Sequence, residues 1–387
     1  TKGYAIIKND PKLVDAQFQT PVFSDVTLER GDKVVFIAYN KSLRPVVDET
    51  KVSDIGVMNI PSNSNSPRYK ATNVEALLID STSGQKCHSG VLCDKETGVV
   101  RGLWLSCDGE DEKLYTTGLN ITDVMWELEF LKRDEEPDVK IIDVEFSSVS
   151  LASARISGVS NEWISKLELK EKIDKFQFLY VPTTSIGLDN KPTCDLKPGD
   201  VILTANGQLI TSVRDIDNVV KMLPKEEDYI KMKVVREKKE IDLDVKLTRT
   251  KSFITDRVVF WSGCILQNAH HGVRQAINSL PSEVYVTTVS NGSPGRFYAV
   301  GITNFITHVN EIPTKTLEDF LNVVKKVEDN TYVKLRIVTF DNIPLAQTLK
   351  VNYHYFPTVE MRKVDGVWKT FVERKEKDKE NEKNGKK

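Results

Sequence analysis

The chain has 387 residues, 40% hydrophobic and 28% charged, with a net charge of −2. That balance makes no electrostatic case for nucleic acid or an anionic membrane as partner, and no apolar run nears the roughly 18 residues that span a bilayer. The length predicts two or three domains, and five irregularly spaced cysteines predict free thiols in a reducing compartment, not a disulfide framework.

Thr1 stands where a methionine would start a chain and no signal-peptide pattern follows, so a fragment or processed chain is expected. Residues 1–133 alternate strand-like runs with turns: Tyr4–Ile7, Lys33–Ala38, Val74–Ile79 and Val99–Leu105. β-branched and aromatic residues dominate these runs, and Gly-Asp, Pro-Ser-Asn and Glu-Thr-Gly clusters separate them. An antiparallel barrel or sandwich is the natural solution. Cys87, His88, Cys93 and Cys107 raise the question of a metal site, but the paired short spacings of zinc ligands are missing. Buried free thiols are the better reading; no metal and no cofactor are expected. The charged run Lys132–Pro137 reads as a linker.

The remainder contains an internal repeat. Gly199–Leu223 and Thr303–Val327 align without gaps at an offset of about 104 residues, with Asn206 on Asn310 and Asp215 on Asp319. Each copy has a strand, a polar turn, an amphipathic helix and a final strand. The helix stripes are Ile216, Val219, Val220, Leu223 and Phe320, Val323, Val324, Val327, both spaced i, i+3, i+4, i+7. Thr316 with Asp319 forms a capping-box pattern, and Ser212 is the equivalent cap in the first copy. A repeat this long is a whole domain. The expected domains are 1–133, 138–250 and 251–360. Residues 361–387 complete the chain as a charged tail, too polar towards its end to order itself.

Leu196-Lys-Pro-Gly-Asp-Val-Ile-Leu-Thr-Ala-Asn-Gly-Gln208, followed by a helix, resembles a PDZ domain of the protease-associated kind. Such domains bind extended peptides or protein C-termini by strand addition beside that helix. The resemblance places the terminal carboxylate in a Φ-Gly-Φ loop. In the first copy that loop falls on Ile142-Asp143-Val144, where Asp143 replaces the glycine and adds an opposing charge. The second copy keeps it in Ser262-Gly263-Cys264-Ile265. The implied peptide-binding residues are these seven with Ile216, Val220, Phe320 and Val324. A purely structural role for one or both copies stays open.

Asp80–Cys93 resembles the nucleophile loop of HtrA (DegP-like) serine proteases: an Asp, seven residues, then Ser-Gly-Gly and a buried strand. On that pattern the nucleophile position falls on His88, with Ser89 and Gly90 behind it. Tyr4–Ile7 resembles the strand after the catalytic Asp, which puts the Asp position on Gly3. A one-residue slip to Ser89 displaces the oxyanion donors and flips the strand. The catalytic positions Gly3, His88 and Ser89 are therefore vestigial, and the segment reads as a pseudoprotease. With the two PDZ-like copies, the chain resembles the C-terminal half of fungal nuclear HtrA-like pro-apoptotic serine proteases. The fold class expected is mainly β with α+β modules: a degenerate trypsin-like β-barrel followed by two PDZ-like domains. The resemblance implies a peptide-binding, regulatory half, a catalytic triad upstream, and nuclear, also cytoplasmic, localisation. Its implied partners are extended peptides or C-termini, the upstream module and further copies of itself. A PDZ scaffold or holdase chaperone is the alternative.

Overall fold

The structure is a computed structural model that describes residues 6, 12, 19–60, 71–108, 113–170, 176–187 and 190–374. Gly3 lies outside the described residues, as does all but Ile6 of the strand expected at Tyr4–Ile7.

The first strands are β1 (Lys33–Tyr39), β2 (Pro45–Met58), β3 (Val74–Ile79), β4 (Gly90–Cys93), β5 (Val100–Asp108) and β6 (Leu114–Asn120). They close into a barrel in the order β1-β2-β3-β6-β5-β4. Alternation dictates the wall: Val34, Phe36 and Ala38 of β1 point inward, joined by Leu28, Leu77, Cys87, Leu92 and Trp104. Phe36 and Trp104 meet edge-on at 5.5 Å. A Cβ on Gly90 would lie 2.7 Å from the Ile37 carbonyl oxygen, so β4 approaches β1 closely only because that residue is glycine.

Helix α1 (Ile121–Lys132) follows β6 directly. Its end overlaps the expected linker, and the chain leaves it through Asp134 at φ 56°. Next come β7 (Lys140–Ile141), β8 (Val144–Ser150), α2 (Leu151–Ile156), α3 (Asn161–Lys170), β9 (Gln177–Thr184), β10 (Val201–Ala205), β11 (Gln208–Leu209), α4 (Val213–Lys221), β12 (Tyr229–Arg236), β13 (Lys239–Lys246) and β14 (Thr248–Arg249). The sheet runs β13-β12-β10-β9-β8, with β11 beside β10. Helix α4 lays Val213, Ile216, Val219 and Val220 on it. Its capping box is complete, because Asp215 accepts the Ser212 N–H in return.

The second copy comprises β15 (Arg257–Trp261), β16 (Cys264–Gln267), α5 (His271–Ala276), β17 (Tyr285–Val289), α6 (Pro294–Phe297), β18 (Phe305–Val309), β19 (Ile312–Pro313), α7 (Leu317–Val324), β20 (Tyr332–Val338), β21 (Pro344–Lys350), β22 (Thr358–Val364) and β23 (Val367–Arg374). Its sheet runs β21-β20-β18-β17-β16-β15-β22-β23, with β19 beside β18. The repeat extends to backbone detail. β10 is bulged against β12 between Ile202 and Thr204, and β18 against β20 between Ile306 and His308. After each bulge an asparagine at positive φ spans the strands: Asn206 Oδ1 accepts the Lys231 N–H, and Asn310 Oδ1 the Lys334 N–H.

The expected tail begins too early, because residues 361–374 complete the hairpin β22–β23. Buried Glu360 fastens β22: Arg257 of β15 and Arg362 both donate to it, and Arg257 also reaches Glu318 of α7. The described chain divides into two compact units, broken after Ser252, with Ser185–Pro192 counted in the second.

Burial pushes the Glu360 pKa up, but the Arg362 and Arg257 hydrogen bonds and charges outweigh it and hold the carboxyl below its ordinary value. A depressed carboxylate stabilises the fold above its unfolded-state pKa, about 4.3, and that stability is lost as pH falls through the folded-state value. Acid titration followed by circular dichroism should therefore show the second unit weakening below that pH. Glu360→Gln should flatten this dependence.

Candidate functional site

Three places can be weighed as sites: the Asp80–Cys93 loop and the strand edge beside the helix in each repeat copy. In the loop, Gly84–Lys86 form a single 3₁₀ turn. Trp104 Nε1 donates to the Gly84 carbonyl at 3.0 Å, fastening the turn to the barrel core. The Lys86 N–H donates inward to Ser83 at 3.1 Å, and the Cys87 N–H to Gly84. An oxyanion hole needs backbone donors aimed out at the reacting carbonyl; the Lys86 donor, two residues before His88, is spent inside the turn.

His88 and Ser89 are exposed, and the His88 Nδ1 contact is Ser106 Oγ at 3.5 Å. The other four histidines, His270, His271, His308 and His354, belong to the second unit. Asp80 is mostly exposed and pairs with Lys51 at 3.7 Å. Cys87 is buried in the barrel core, and burial pushes its thiol pKa up, away from the reactive thiolate. The cysteines weighed as metal ligands pack in separate places: Cys87 with Phe36 and Trp104, Cys93 with Val100 and Ile121, Cys107 beside Leu119 and Val124.

In the first copy β8 is the sheet edge, and α4 packs its apolar stripe on the same core. Ile142 and Val144 are buried in that core, and Asp143 is buried between them. The Val144 N–H closes a tight turn onto the Ile142 carbonyl at 2.9 Å, so it is not directed at a ligand. The open edge of β8 meets the barrel. Asn73 Nδ2 donates to the Val144 carbonyl, and the Phe146 N–H donates to Asn73 Oδ1, both at 2.8 Å. Asn59 Nδ2 donates to the Phe146 carbonyl at 2.7 Å, and the Asn73 N–H donates to Asn59 Oδ1.

The start of α4 is held too. Its Arg214 N–H donates to Glu75 of β3 at 2.9 Å, and the Arg214 guanidinium pairs with Asp123 of α1. Val57 of β2 packs on the Ile216 and Val220 cluster. Farther along, a cavity of about 230 Å³ between α1 and α4 is lined by Trp126, Phe130, Ile141, Val220, Lys221 and Leu223. The Lys221 ammonium sits over the Trp126 ring.

In the second copy β16 corresponds to β8, and β15 pairs along it: Val259 with Leu266, Phe260 with Ile265, Trp261 with Cys264. Ser262 and Gly263, at φ 51° and 82°, are the two-residue turn of this hairpin. A Cβ on Gly263 would overlap Ser293, and the Gly295 N–H donates to the Ser262 carbonyl, so the turn is packed against the start of α6. Trp261 is fully buried and meets Phe320 of α7 edge-on at 5.3 Å. Phe320 and Val324 lie in the same core as Trp261, while Ile265 is half-buried. Burial pushes the Cys264 thiol up to about 12. Sequence reasoning missed Asn59, Asn73 and Trp261, which occupy the ground where strand addition was expected.

No helix among the described residues is long and apolar enough to cross a membrane. A PDZ-like domain family model matches residues 253–330. A protein of Meyerozyma guilliermondii named pro-apoptotic serine protease NMA111 is 44% identical over 374 residues, which cover 95% of this chain and 37% of that protein. Its namesake in Debaryomyces hansenii is 44% identical over 385 residues, 97% of this chain and 38% of that protein. Among solved structures, the HtrA-type protease AlgW with decapeptide is 17% identical, with a TM-score of 0.31 over 58% of this chain and 63% of that one. The chain thus spans little more than a third of the curated relatives it matches. Along nearly its whole length the chain is thus a homologue of part of the proteins named pro-apoptotic serine protease NMA111, and it contains a PDZ-like domain.

Proposed function

We propose that this chain is the non-catalytic recognition and regulatory half of an HtrA-like nuclear serine endopeptidase whose catalytic triad lies in sequence preceding Thr1. The observation that carries the reading is the collapsed nucleophile loop. His88 takes the nucleophile position, and the Lys86 N–H is turned into the 3₁₀ turn. Hydrolysis by a triad needs a nucleophile, a base within hydrogen-bond reach and an orienting carboxylate. Ser89, the hydroxyl next to the nucleophile position, is exposed beside His88, whose ring contacts Ser106.

The two PDZ-like copies supply the recognition role. Peptides or protein C-termini, the catalytic module and further copies of the chain are its partners in this reading. The second copy, whose β16 edge already carries β15, serves mainly to hold its unit together; the first copy retains the adjustable edge. Regulation of the catalytic module then comes from docking and from what the first copy admits. Incubated with unfolded casein, the chain should leave it intact over hours at micromolar concentration. Cleavage that disappears in Ser89→Ala would overturn the proposal.

A further inference from the structure

We infer that Asn59 and Asn73 form a built-in gate on the first PDZ-like copy: their side-chain amides stand in for an added strand on β8, and an extended segment must displace them to bind. This rests on the recognition role proposed above and names how one of its sites is held shut.

The geometry reproduces strand pairing. An added strand meets a pair of edge groups, the C=O of one β8 residue and the N–H two residues on, with the N–H and C=O of one residue when parallel and of two residues when antiparallel. The Asn73 amide does this with one side chain, since Nδ2 meets the Val144 carbonyl and Oδ1 meets the Phe146 N–H. Asn59 adds the next donor, to the Phe146 carbonyl, and its Oδ1 fixes the Asn73 backbone. Asn73 sits at φ 56°, a left-handed conformation that asparagine tolerates better than most residues. Among the described residues, three consecutive edge groups are thus satisfied by two side chains and by no neighbouring backbone strand.

The second copy shows the contrasting solution. There the same edge carries a full backbone ladder from β15, joined to β16 by a two-residue turn. A covalently tethered strand with a buried tryptophan is a permanent seal. Two amides on a neighbouring barrel are exchangeable, because an incoming peptide replaces each bond one for one. Exchange leaves no β8 group unsatisfied, so its cost is confined to the released barrel contacts.

The occupant is an internal extended segment, not a chain terminus. A free carboxylate would have to approach buried Asp143, and the Val144 N–H that would meet it is closed onto Ile142. The gate therefore discriminates by chemistry: backbone ladder groups are accepted and a terminal charge is refused.

The test uses the full chain and a short fluorescein-labelled peptide of alternating Val and Thr, in C-terminally amidated and free-acid forms. Fluorescence anisotropy should show the double variant Asn59→Ala/Asn73→Ala binding the amidated peptide about tenfold more tightly than the wild type, one tenfold step being the scale of one or two net hydrogen bonds. With the peptide placed so that its terminus reaches the Asp143 loop, the free acid should bind more weakly than the amide. A folded double variant with unchanged or weaker affinity overturns the gate.

Amide exchange on the wild type keeps the proposal testable should the double variant fail to fold. Saturating amidated peptide should speed exchange at residues 58–60 and 72–74, which leave β8, and protect Phe146. Bound peptide without that pattern, or no binding at millimolar peptide, also overturns it. Neither arm depends on hydrolysis, so loss of the gate leaves the non-catalytic reading standing, and casein cleavage leaves the gate standing.

Discussion

Trp261→Ala should lower the stability of the second unit by about 3–5 kcal/mol, the range for emptying a fully buried Trp or Phe site. Trp261 is fully buried between α7 and the β15–β16 hairpin, against Phe320 and within the cluster that includes Val324, Leu335 and Leu349. Both walls are tied from outside, β15 by its ladders to β16 and β22, and α7 through Arg257 to Glu318. Collapse onto the vacated volume is therefore hindered, which places the effect toward the upper part of the range. Urea unfolding followed by far-ultraviolet circular dichroism reads it. Trp368→Ala, on β23 and 41% exposed, serves as the comparison and should cost under about 1 kcal/mol. Comparable losses in the two variants would mean that Trp261 covers the groove without filling it.

Arg236→Ala should destabilise the first unit by about 3–5 kcal/mol, the scale for removing one partner of a buried ion pair. The Asp200 side chain is fully buried. It accepts Arg236 Nε at 2.8 Å and Nη2 at 2.7 Å, a bidentate contact, and also the Lys197 N–H at 2.8 Å. Without Arg236 the carboxylate keeps its burial and loses its counter-charge. The second copy suggests the rescue. At the repeat positions of Asp200 and Arg236 it carries Asn304 and Thr339, so both charges are gone together. Asp200→Asn/Arg236→Thr should accordingly recover most of the loss, a non-additivity that chemical denaturation of the two singles and the double will show. A double variant as weak as the sum of its singles would assign the effect to packing of the arginine stem.

These two sites also mark what could be read from the sequence. The repeat was legible because each shared residue does the same local work: Asn206 and Asn310 bridge equivalent bulges, and Ser212 and Thr316 cap equivalent helices. Helix α1 was readable as well, with Ile121, Val124, Met125 and Leu128 at helical spacing, but it lay hidden behind a reading of the region as all strand. Ser262-Gly263 between two apolar runs carried a hairpin signal that the search for a carboxylate loop overrode. Glu360 and the β22–β23 hairpin were obscured by the charge of their neighbours, because the partners of Glu360 are one arginine in a distant strand, Arg257, and one on its own, Arg362.

The contacts on β8 had no local signature at all. Asn59 and Asn73 lie 87 and 73 residues from Phe146 in the chain, and asparagines in a polar stretch read as turn formers. Only closure of the barrel brings them to the strand edge. The Asp80–Cys93 loop was the reverse case. Asp80, Gly90 and the following apolar strand carried its resemblance in the sequence, whereas the turning of the Lys86 N–H onto Ser83 depends on the folded backbone.

The most direct test of the account is intact-protein mass spectrometry after exposure of the chain to a serine-directed fluorophosphonate. The account predicts no adduct at any ratio of probe to protein that leaves exposed tyrosines and lysines unmodified. A stoichiometric adduct on the peptide containing Ser89, abolished by Ser89→Ala and by prior unfolding, would contradict it.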